Sequence, residues 1–121
     1  MVPATIHCDL VAWREAINLA EAVYKDTEGF PRKETFGLAV QMRRAAVSVS
    51  SNLAEGAGRN SRREFLQYVG IACGSIAELE THLVIAMRLG YLKPGALSLD
   101  KAIHVGKLVR SLRRSLRAAV N

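Results

Sequence analysis

The sequence predicts an all-α fold, an antiparallel up-down-up-down four-helix bundle, from three observations. Apolar residues recur every three or four positions in four separate segments, which is the period of an amphipathic helix. No window shows the strict alternation of apolar and polar residues that a half-buried strand requires. The segments are joined by short connections, and short connections make neighbouring helices antiparallel. From the length of 121 residues, we expect residues 1–121 to form a single domain.

The first two predicted helices are each defined by an apolar stripe and a signal for the helix end. The stripe of the first helix contains Leu10, Trp13, Ala16, Ile17, Ala20 and Tyr24. Gly29 is expected just beyond its end, where Phe30-Pro31 turns the chain. Glu34 is predicted in the first turn of the second helix, where the helix dipole favours a carboxylate. The stripe of the second helix contains Leu38, Met42, Ala45, Ala46, Val49 and Leu53, and Gly56-Ala57-Gly58 ends it.

The third and fourth helices have their own start and stop signals. Ser61 and Glu64 have the spacing of a capping box, and a helix of about 25–30 residues is predicted after them. Its stripe contains Phe65, Val69, Ala72, Cys73, Ile76, Leu79, Leu83 and Met87. Gly90 is expected to end it, and Ser98 is predicted to cap the fourth helix. The stripe of the fourth helix contains Ala102, Val105, Leu108, Val109, Leu112 and Leu116.

The composition is that of a globular protein with a basic surface. Half of the residues are hydrophobic and 23% are charged, which excludes a disordered chain. The formal net charge is +6, which favours an anionic partner. Two cysteines, Cys8 and Cys73, are too few for a disulfide scaffold or a zinc site made of cysteines alone. With neither a signal peptide nor a membrane segment in the pattern, we expect a cytoplasmic protein.

The excess positive charge lies in the second half of the chain. Residues 1–58 have a net charge of −1 and residues 59–121 a net charge of +7. One predicted cluster is a stripe on the fourth helix, formed by Arg110, Arg113, Arg114 and Arg117. A second cluster, at the start of the third helix, is formed by Arg59, Arg62 and Arg63. Because no acidic residue follows Asp100, we expect the stripe to face outward and unneutralised, where guanidinium groups bind phosphates. The alternative is ordinary surface charge or salt bridges between subunits.

Three carboxylates raise the question of catalysis. Glu55, Glu78 and Glu80 form either a catalytic or metal-binding set or a structural polar network, and we favour the network. Glu80 lies beside the apolar stripe and therefore needs a partner, for which Arg43, Arg44 or a neighbouring subunit's arginine is available. The Glu-x-x-His pattern of di-iron bundles is missing, because His82 follows Glu78 by four residues. We predict no enzymatic activity, no metal and no cofactor.

Small residues are unusually dense in the second and third helices, and two interpretations remain open. The set comprises Ala45, Ala46, Ser48, Ser50, Ser51, Ala54, Gly70, Ala72, Gly74, Ser75 and Ala77. They pack either between helices of one bundle or against another subunit. The aromatic residues lie near the helical stripes and are interpreted as core residues rather than as platforms for stacking bases; these are Trp13, Tyr24, Phe65 and Tyr68.

A combined motif pattern resembles a known family. It comprises Phe30-Pro31-Arg32-Lys33-Glu34-Thr35-Phe36-Gly37-Leu38, Gln41-Met42-Arg43-Arg44-Ala45-Ala46, Ser48 through Ser51, Asn52-Leu53-Ala54-Glu55-Gly56, Ser61, Glu64, Phe65, and Gly74-Ser75 followed by Glu78 and Glu80. This pattern is similar to that of the four-helix-bundle proteins encoded by intervening sequences within bacterial 23S rRNA genes. The resemblance covers about residues 8–117.

The resemblance implies an assembly more clearly than an activity. It implies a homopentamer. A related branch of the family, the accessory variability proteins of diversity-generating retroelements, binds nucleic acid and a reverse transcriptase. By position, the resemblance makes six residues structural or assembly residues: Asn52, Glu55, Gly56, Ser75, Glu78 and Glu80. We therefore expect a homo-oligomer that binds RNA or DNA through the arginines, with a protein-interaction scaffold as the alternative.

Overall fold

A computed structural model describes residues 10–120, which form four α-helices joined by short connections. The helices are α1 (Val11–Thr27), α2 (Leu38–Ala57), α3 (Arg62–Arg88) and α4 (Leu97–Val120), and a short 3-10 helix (Arg32–Glu34) precedes α2. Each α-helix packs against its neighbours in sequence, and α1 also packs against α4. The predicted all-α four-helix bundle is confirmed, and residues 10–120 contain no strand. Cys8 lies outside the described residues, whereas Cys73 is a buried free cysteine.

Contacts near the helix ends show that neighbouring helices run antiparallel. Thr27, at the end of α1, accepts a hydrogen bond from Arg43 near the start of α2 at 2.9 Å. Gly56, at the end of α2, lies against Tyr68 near the start of α3. The end of α3 and the start of α4 line one pocket together. The bundle therefore has a single-connection end, which contains the α2–α3 connection, and a two-connection end, which contains the other two connections.

The apolar stripes predicted for α2, α3 and α4 form the core, but the stripe predicted for α1 is partly wrong. The largest fully buried side chains include Met42, Val49, Leu53, Ile76, Leu79, Leu83, Val105 and Val109. On α1, the buried face is instead formed by Ala12, Ala16, Leu19 and Val23. Ile17 and Tyr24 are exposed, because α1 carries apolar residues on two overlapping faces and only one faces the bundle. Tyr24 is not a core residue, and the Arg43 guanidinium lies over its ring.

The predicted ends of α3 are confirmed, although only the Ser61 half of the capping box forms within residues 10–120. The Ser61 side chain accepts a hydrogen bond from the Glu64 backbone N–H at 3.1 Å, which satisfies one free donor of the first turn. At the other end, Gly90 has φ of 79°, a left-handed conformation that glycine adopts without steric cost. The Tyr91 N–H then bonds to the Ala86 carbonyl at 2.9 Å, which makes this end a Schellman motif.

Glu34 lies before α2 rather than in its first turn, which corrects the sequence prediction. It ends the 3-10 helix, and α2 begins four residues later at Leu38. The intervening bend folds the carboxylate back, so that Oε1 accepts the Leu38 N–H at 3.2 Å and Oε2 accepts the Tyr91 hydroxyl at 3.0 Å. Burial of the Tyr91 hydroxyl, and next its hydrogen bond to Glu34, raises the pKa of Tyr91. The Glu34 carboxylate therefore ties the α1–α2 connection to both α2 and the α3–α4 connection.

Ser98 does not cap α4 as predicted, because the helix already begins at Leu97. The Ser98 side chain is fully buried, and a buried hydroxyl needs a hydrogen-bond partner. That partner is Asp26 of α1, whose Oδ2 accepts the Ser98 N–H at 3.0 Å and the hydroxyl at 2.5 Å. The carboxylate that satisfies the start of α4 therefore comes from another helix.

Replacing Asp26 with alanine should lower the free energy of unfolding by about 1–3 kcal/mol, because it leaves the buried Ser98 hydroxyl and N–H without an acceptor. Urea denaturation at fixed protein concentration measures this loss. Glu28→Ala is the matched control, since Glu28 is exposed and its side chain makes no hydrogen bond within residues 10–120. Equal losses for the two variants would contradict the assigned role of Asp26.

Helix α3 is long and apolar enough to cross a membrane by length and composition alone, with a mean hydropathy of 1.4 over its most apolar 18 residues. Its apolar side chains Val69, Ile76 and Leu83 are nevertheless buried. Since α3 packs against both α2 and α4, the core of the bundle explains these buried residues, whereas Ile71, Val84 and Ile85 of the same helix are exposed.

Candidate nucleic-acid interface

The fold brings the two predicted arginine clusters to the same end of the bundle. Arg59, Arg62 and Arg63 lie in the α2–α3 connection and the first turn of α3. Arg113, Arg114 and Arg117 lie in the last turns of α4. Because α3 and α4 are antiparallel neighbours, the start of α3 and the end of α4 are both at the single-connection end. The sequence pattern alone gave two separate clusters.

Arg110 is neutralised, which corrects the prediction that the whole stripe is unpaired. Its Nη2 lies 3.5 Å from Oε2 of Glu80 on α3, and the two side chains are 44% and 35% exposed. The guanidinium lies directly over Gly106, which has no Cβ to obstruct it. Glu80 therefore pairs with α4 rather than with the arginines of α2 named as candidates. An ion pair with this exposure contributes only about 0–1 kcal/mol to stability.

Arg59 is also held by its neighbours. Its Nη2 donates to Oε1 of Glu55 at 2.9 Å and to the Tyr68 hydroxyl at 2.6 Å. The guanidinium carbon lies 4.9 Å from the centre of the Tyr68 ring, as in a cation–π contact. The electrostatic interaction with Tyr68, and next the hydrogen bond to Glu55, raises the pKa of Arg59. Because Arg59 covers one face of the Tyr68 ring, that face is not open for a base to stack on.

Five of the seven predicted arginines have no acidic partner within residues 10–120. We call them the free arginine set: Arg62, Arg63, Arg113, Arg114 and Arg117. Arg113 is half-buried, and the other four are exposed. The carboxylates Glu15 and Glu64 share this end of the bundle, so positive charge remains in excess there. A patch of this sign attracts polyanions, and forked guanidinium groups bind phosphate oxygens in pairs.

The three carboxylates considered for catalysis do not converge on one site. Glu78 and Glu80 are two residues apart on α3, so their side chains leave the helix about 200° apart. Glu78 lies 3.9 Å from Nε2 of the buried His82, whereas Glu55 and Glu80 each pair with an arginine. Within residues 10–120, no group of three or more His, Cys, Asp or Glu side chains is arranged to hold a metal ion.

Two of the predicted assembly residues belong to a hydrogen-bonded chain between α2 and α3. Asn52 donates from Nδ2 to the Ser48 carbonyl at 2.8 Å and to the Ser48 hydroxyl at 3.0 Å. The Ser48 hydroxyl is in turn 2.8 Å from the Ser75 hydroxyl on α3. Ser48 was not one of the six residues assigned to assembly by position, but it belongs to the small residues considered for contact with another subunit, and its position four residues before Asn52 places the two side chains on one helix face.

The small residues are divided between the interior and the surface of the bundle, and contact with another subunit stays a prediction. The buried members are Ala45, Ala46, Ser50 and Ala72. The members that are exposed or half-buried are Ser48, Ser51, Ala54, Gly70, Gly74, Ser75 and Ala77. Exposed Val47 and Ile71 lie among the second group in the sequence. Small side chains therefore serve packing within the bundle and also cover part of its outer surface.

Comparisons with known proteins agree on the fold. The sequence model of the family described as 23S rRNA-intervening sequence protein matches residues 8–111. No curated protein gives a significant match. A crystal structure from Bacteroides thetaiotaomicron, described as a protein with unknown function from the S23 ribosomal protein family, aligns with a TM-score of 0.76. At 21% sequence identity, the alignment covers 85% of this chain and 98% of that one.

Proposed function

This chain belongs to the 23S rRNA-intervening sequence protein family, and from that premise we propose that it is a non-enzymatic, homo-oligomeric helical bundle that binds RNA or DNA. The observation that carries the proposal is the free arginine set at the single-connection end. A non-enzymatic role is supported by the separation of Glu55, Glu78 and Glu80, each of which has a different neighbour.

Repetition of the free arginine set in an assembly would strengthen the interaction. In the pentamer that the resemblance implies, about twenty-five unpaired guanidinium groups (five per chain) lie on one assembly, and weak contacts made together add as avidity. In a ring whose axis is parallel to the bundles, all of these groups lie on the same side. One extended polyanion could then contact several subunits.

We expect affinity for nucleic acid to fall steeply with salt. If one chain contacts about five phosphates, affinity should fall roughly 500-fold between 50 and 200 mM NaCl, because each phosphate contact releases bound counterions. Fluorescence anisotropy with a labelled RNA hairpin and a labelled DNA duplex measures this dependence. Duplexes of scrambled sequence are the control and should bind about equally well. An affinity that does not change with salt would overturn the proposal.

A second candidate is a protein-interaction scaffold, and the groove between α1 and α2 favours it. The groove has a volume of about 470 Å³ and is lined by Tyr24, Val40, Arg43, Arg44, Val47 and Ser48. Neither arginine has an acidic partner within the described chain, so the groove suits an acidic amphipathic segment. If this candidate is correct, a reverse transcriptase, the partner that the resemblance implies for the retroelement branch, would be one protein that the scaffold binds. A bound protein that survives nuclease treatment and is lost from an Arg44→Glu variant would favour the scaffold.

A further inference from the structure

Phe36 is the most exposed large hydrophobic residue of the described chain. It is 92% exposed, whereas the next, Leu89, is 55% exposed. Its loop is fixed, because the Glu34 side chain bonds to Leu38 and Tyr91, and the Gly37 N–H bonds to the Glu34 carbonyl. Removing a phenylalanine side chain from water contributes about 1.5–3 kcal/mol. An aromatic ring held in water on a hydrogen-bonded loop is therefore available to a partner, and covering it would contribute to the free energy of association.

A pocket of matching size and chemistry lies between α3 and α4. It is lined by Glu80, Leu83, Val84, Leu99, Ala102 and Ile103, so that five of its six lining residues are apolar. Its volume of about 160 Å³ is close to the roughly 150 Å³ of an apolar protein cavity that binds benzene. Val84 and Ile103 are about half exposed, so this apolar surface is open to a partner.

We propose that Phe36 of one copy inserts into the α3–α4 pocket of a second copy of this chain. The inference rests on the homo-oligomeric part of the proposed function and names the contact that builds the assembly. The burial of one aromatic ring per interface is the anchor expected at the centre of a protein–protein contact.

The positions of the ring and the pocket fit a closed assembly. Phe36 precedes α2 and the pocket includes the start of α4, so both lie at the two-connection end. They are on different sides of the bundle, since one belongs to the α1–α2 connection and the other to the α3–α4 groove. A contact between two different surfaces generates a ring when the rotation closes. In a ring whose axis is parallel to the helix bundles, Phe36 of one subunit reaches the pocket of the next subunit only if both lie at the same height along the bundle.

The charges beside the two surfaces are not complementary overall, because Arg88 and Lys107 lie one helical turn after Val84 and Ile103, are exposed, and have no acidic partner within residues 10–120. Arg32 and Lys33 precede Phe36, are exposed and have no acidic partner within residues 10–120. Asp100 is exposed, makes no ion pair within the same residues, and lies one helical turn before Ile103. Insertion of Phe36 would bring the two basic side chains towards this carboxylate. Because basic side chains also lie beside the pocket, the apolar contact of the ring, rather than attraction between charges, carries the proposed insertion.

Replacing Phe36 with alanine should dissociate the assembly without unfolding the bundle. The exposed ring makes little contribution to the core, so helicity by circular dichroism should not change. Light scattering at fixed protein concentration should show a lower mass for Phe36→Ala, with an apparent dissociation constant at least tenfold higher. Val11→Ala is the matched control, because Val11 is an exposed hydrophobic residue at the other end of the bundle. It should keep the mass of the unmodified protein.

Mixing two variants tests the pairing directly. Ile103→Lys blocks the pocket and keeps Phe36, whereas Phe36→Ala keeps the pocket. In an equimolar mixture, Phe36 of the Ile103→Lys variant can enter the pocket of the Phe36→Ala variant, but the reverse contact cannot form. The mixture should therefore contain dimers and no larger rings. A mixture that remains monomeric would overturn the inference. A Phe36→Ala variant with the mass of an oligomeric unmodified protein would overturn this contact alone, whereas a monomeric unmodified protein would overturn homo-oligomerisation as well.

Discussion

Replacing the free arginine set with glutamine should abolish most of the binding to RNA and duplex DNA. The variant carries Arg62→Gln, Arg63→Gln, Arg113→Gln, Arg114→Gln and Arg117→Gln. Without these charges a chain loses up to about five phosphate contacts, and the slope of log affinity against log salt should become less negative by about 4.5. At 100 mM NaCl we expect at least a hundredfold weaker binding. Anisotropy titrations at several salt concentrations measure both quantities.

Two paired arginines provide the control for this experiment. Arg59→Gln combined with Arg110→Gln removes charge from the same pair of clusters, but these guanidinium groups are already bound to Glu55 and Glu80. Because this variant removes two charges rather than five, and each is already offset by a carboxylate, their loss should weaken binding less than tenfold. Circular dichroism and light scattering should show unchanged helicity and mass in both variants. An unchanged affinity after loss of the free arginine set would contradict the interface.

Gly56→Ala should destabilise the bundle, although alanine is the better helix former. A Cβ at position 56 would lie 2.7 Å from the Tyr68 Cβ and 2.9 Å from a ring carbon of Phe65. The Tyr68 Cβ is fixed to the backbone of α3, so the two helices must move apart. Crowding of this kind costs about 1–3 kcal/mol, which exceeds the roughly 0.5–1 kcal/mol that alanine gains over glycine in a helix.

The same substitution elsewhere should have the opposite sign. Gly70 is inside α3. A Cβ there would meet no atom within 4 Å, apart from the two adjacent residues and the nearby backbone of its own helix. Gly70→Ala should therefore raise the free energy of unfolding by about 0.5–1 kcal/mol. Denaturation of both variants at one protein concentration compares them, since stability depends on concentration if the protein associates. A stabilising Gly56→Ala would show that α2 and α3 do not approach closely at this position.

The fold could be predicted from the sequence because its signals are local. Apolar periodicity fixed the number of helices, and the Ser61 and Gly90 signals marked both ends of α3. The prediction was wrong where a distant residue decides the structure. Ser98 looked like a cap, but its partner Asp26 is 72 residues away. On α1 the choice between two apolar faces depends on how the helix packs, which periodicity alone does not determine.

The candidate site was predictable only in part for the same reason. The sequence identifies seven arginines, but it does not show that Glu80 reaches Arg110 across two helices or that Gly106 leaves room for the guanidinium. It also does not show that antiparallel packing of α3 and α4 places both clusters at one end. The exposure of Phe36 depends on the path of its loop, and aromatic residues between two helices are usually assigned to a core.

The order of helices around the bundle bears on how the chain folds. Three of the four helix–helix contacts join segments that are adjacent in sequence, and closing such short loops costs little entropy. The contact between α1 and α4 is the exception, and the Asp26–Ser98 hydrogen bonds span it. Low contact order of this kind is associated with folding within milliseconds. We therefore expect docking of the first helix onto the last to be the late step, after the intervening helical hairpins have formed.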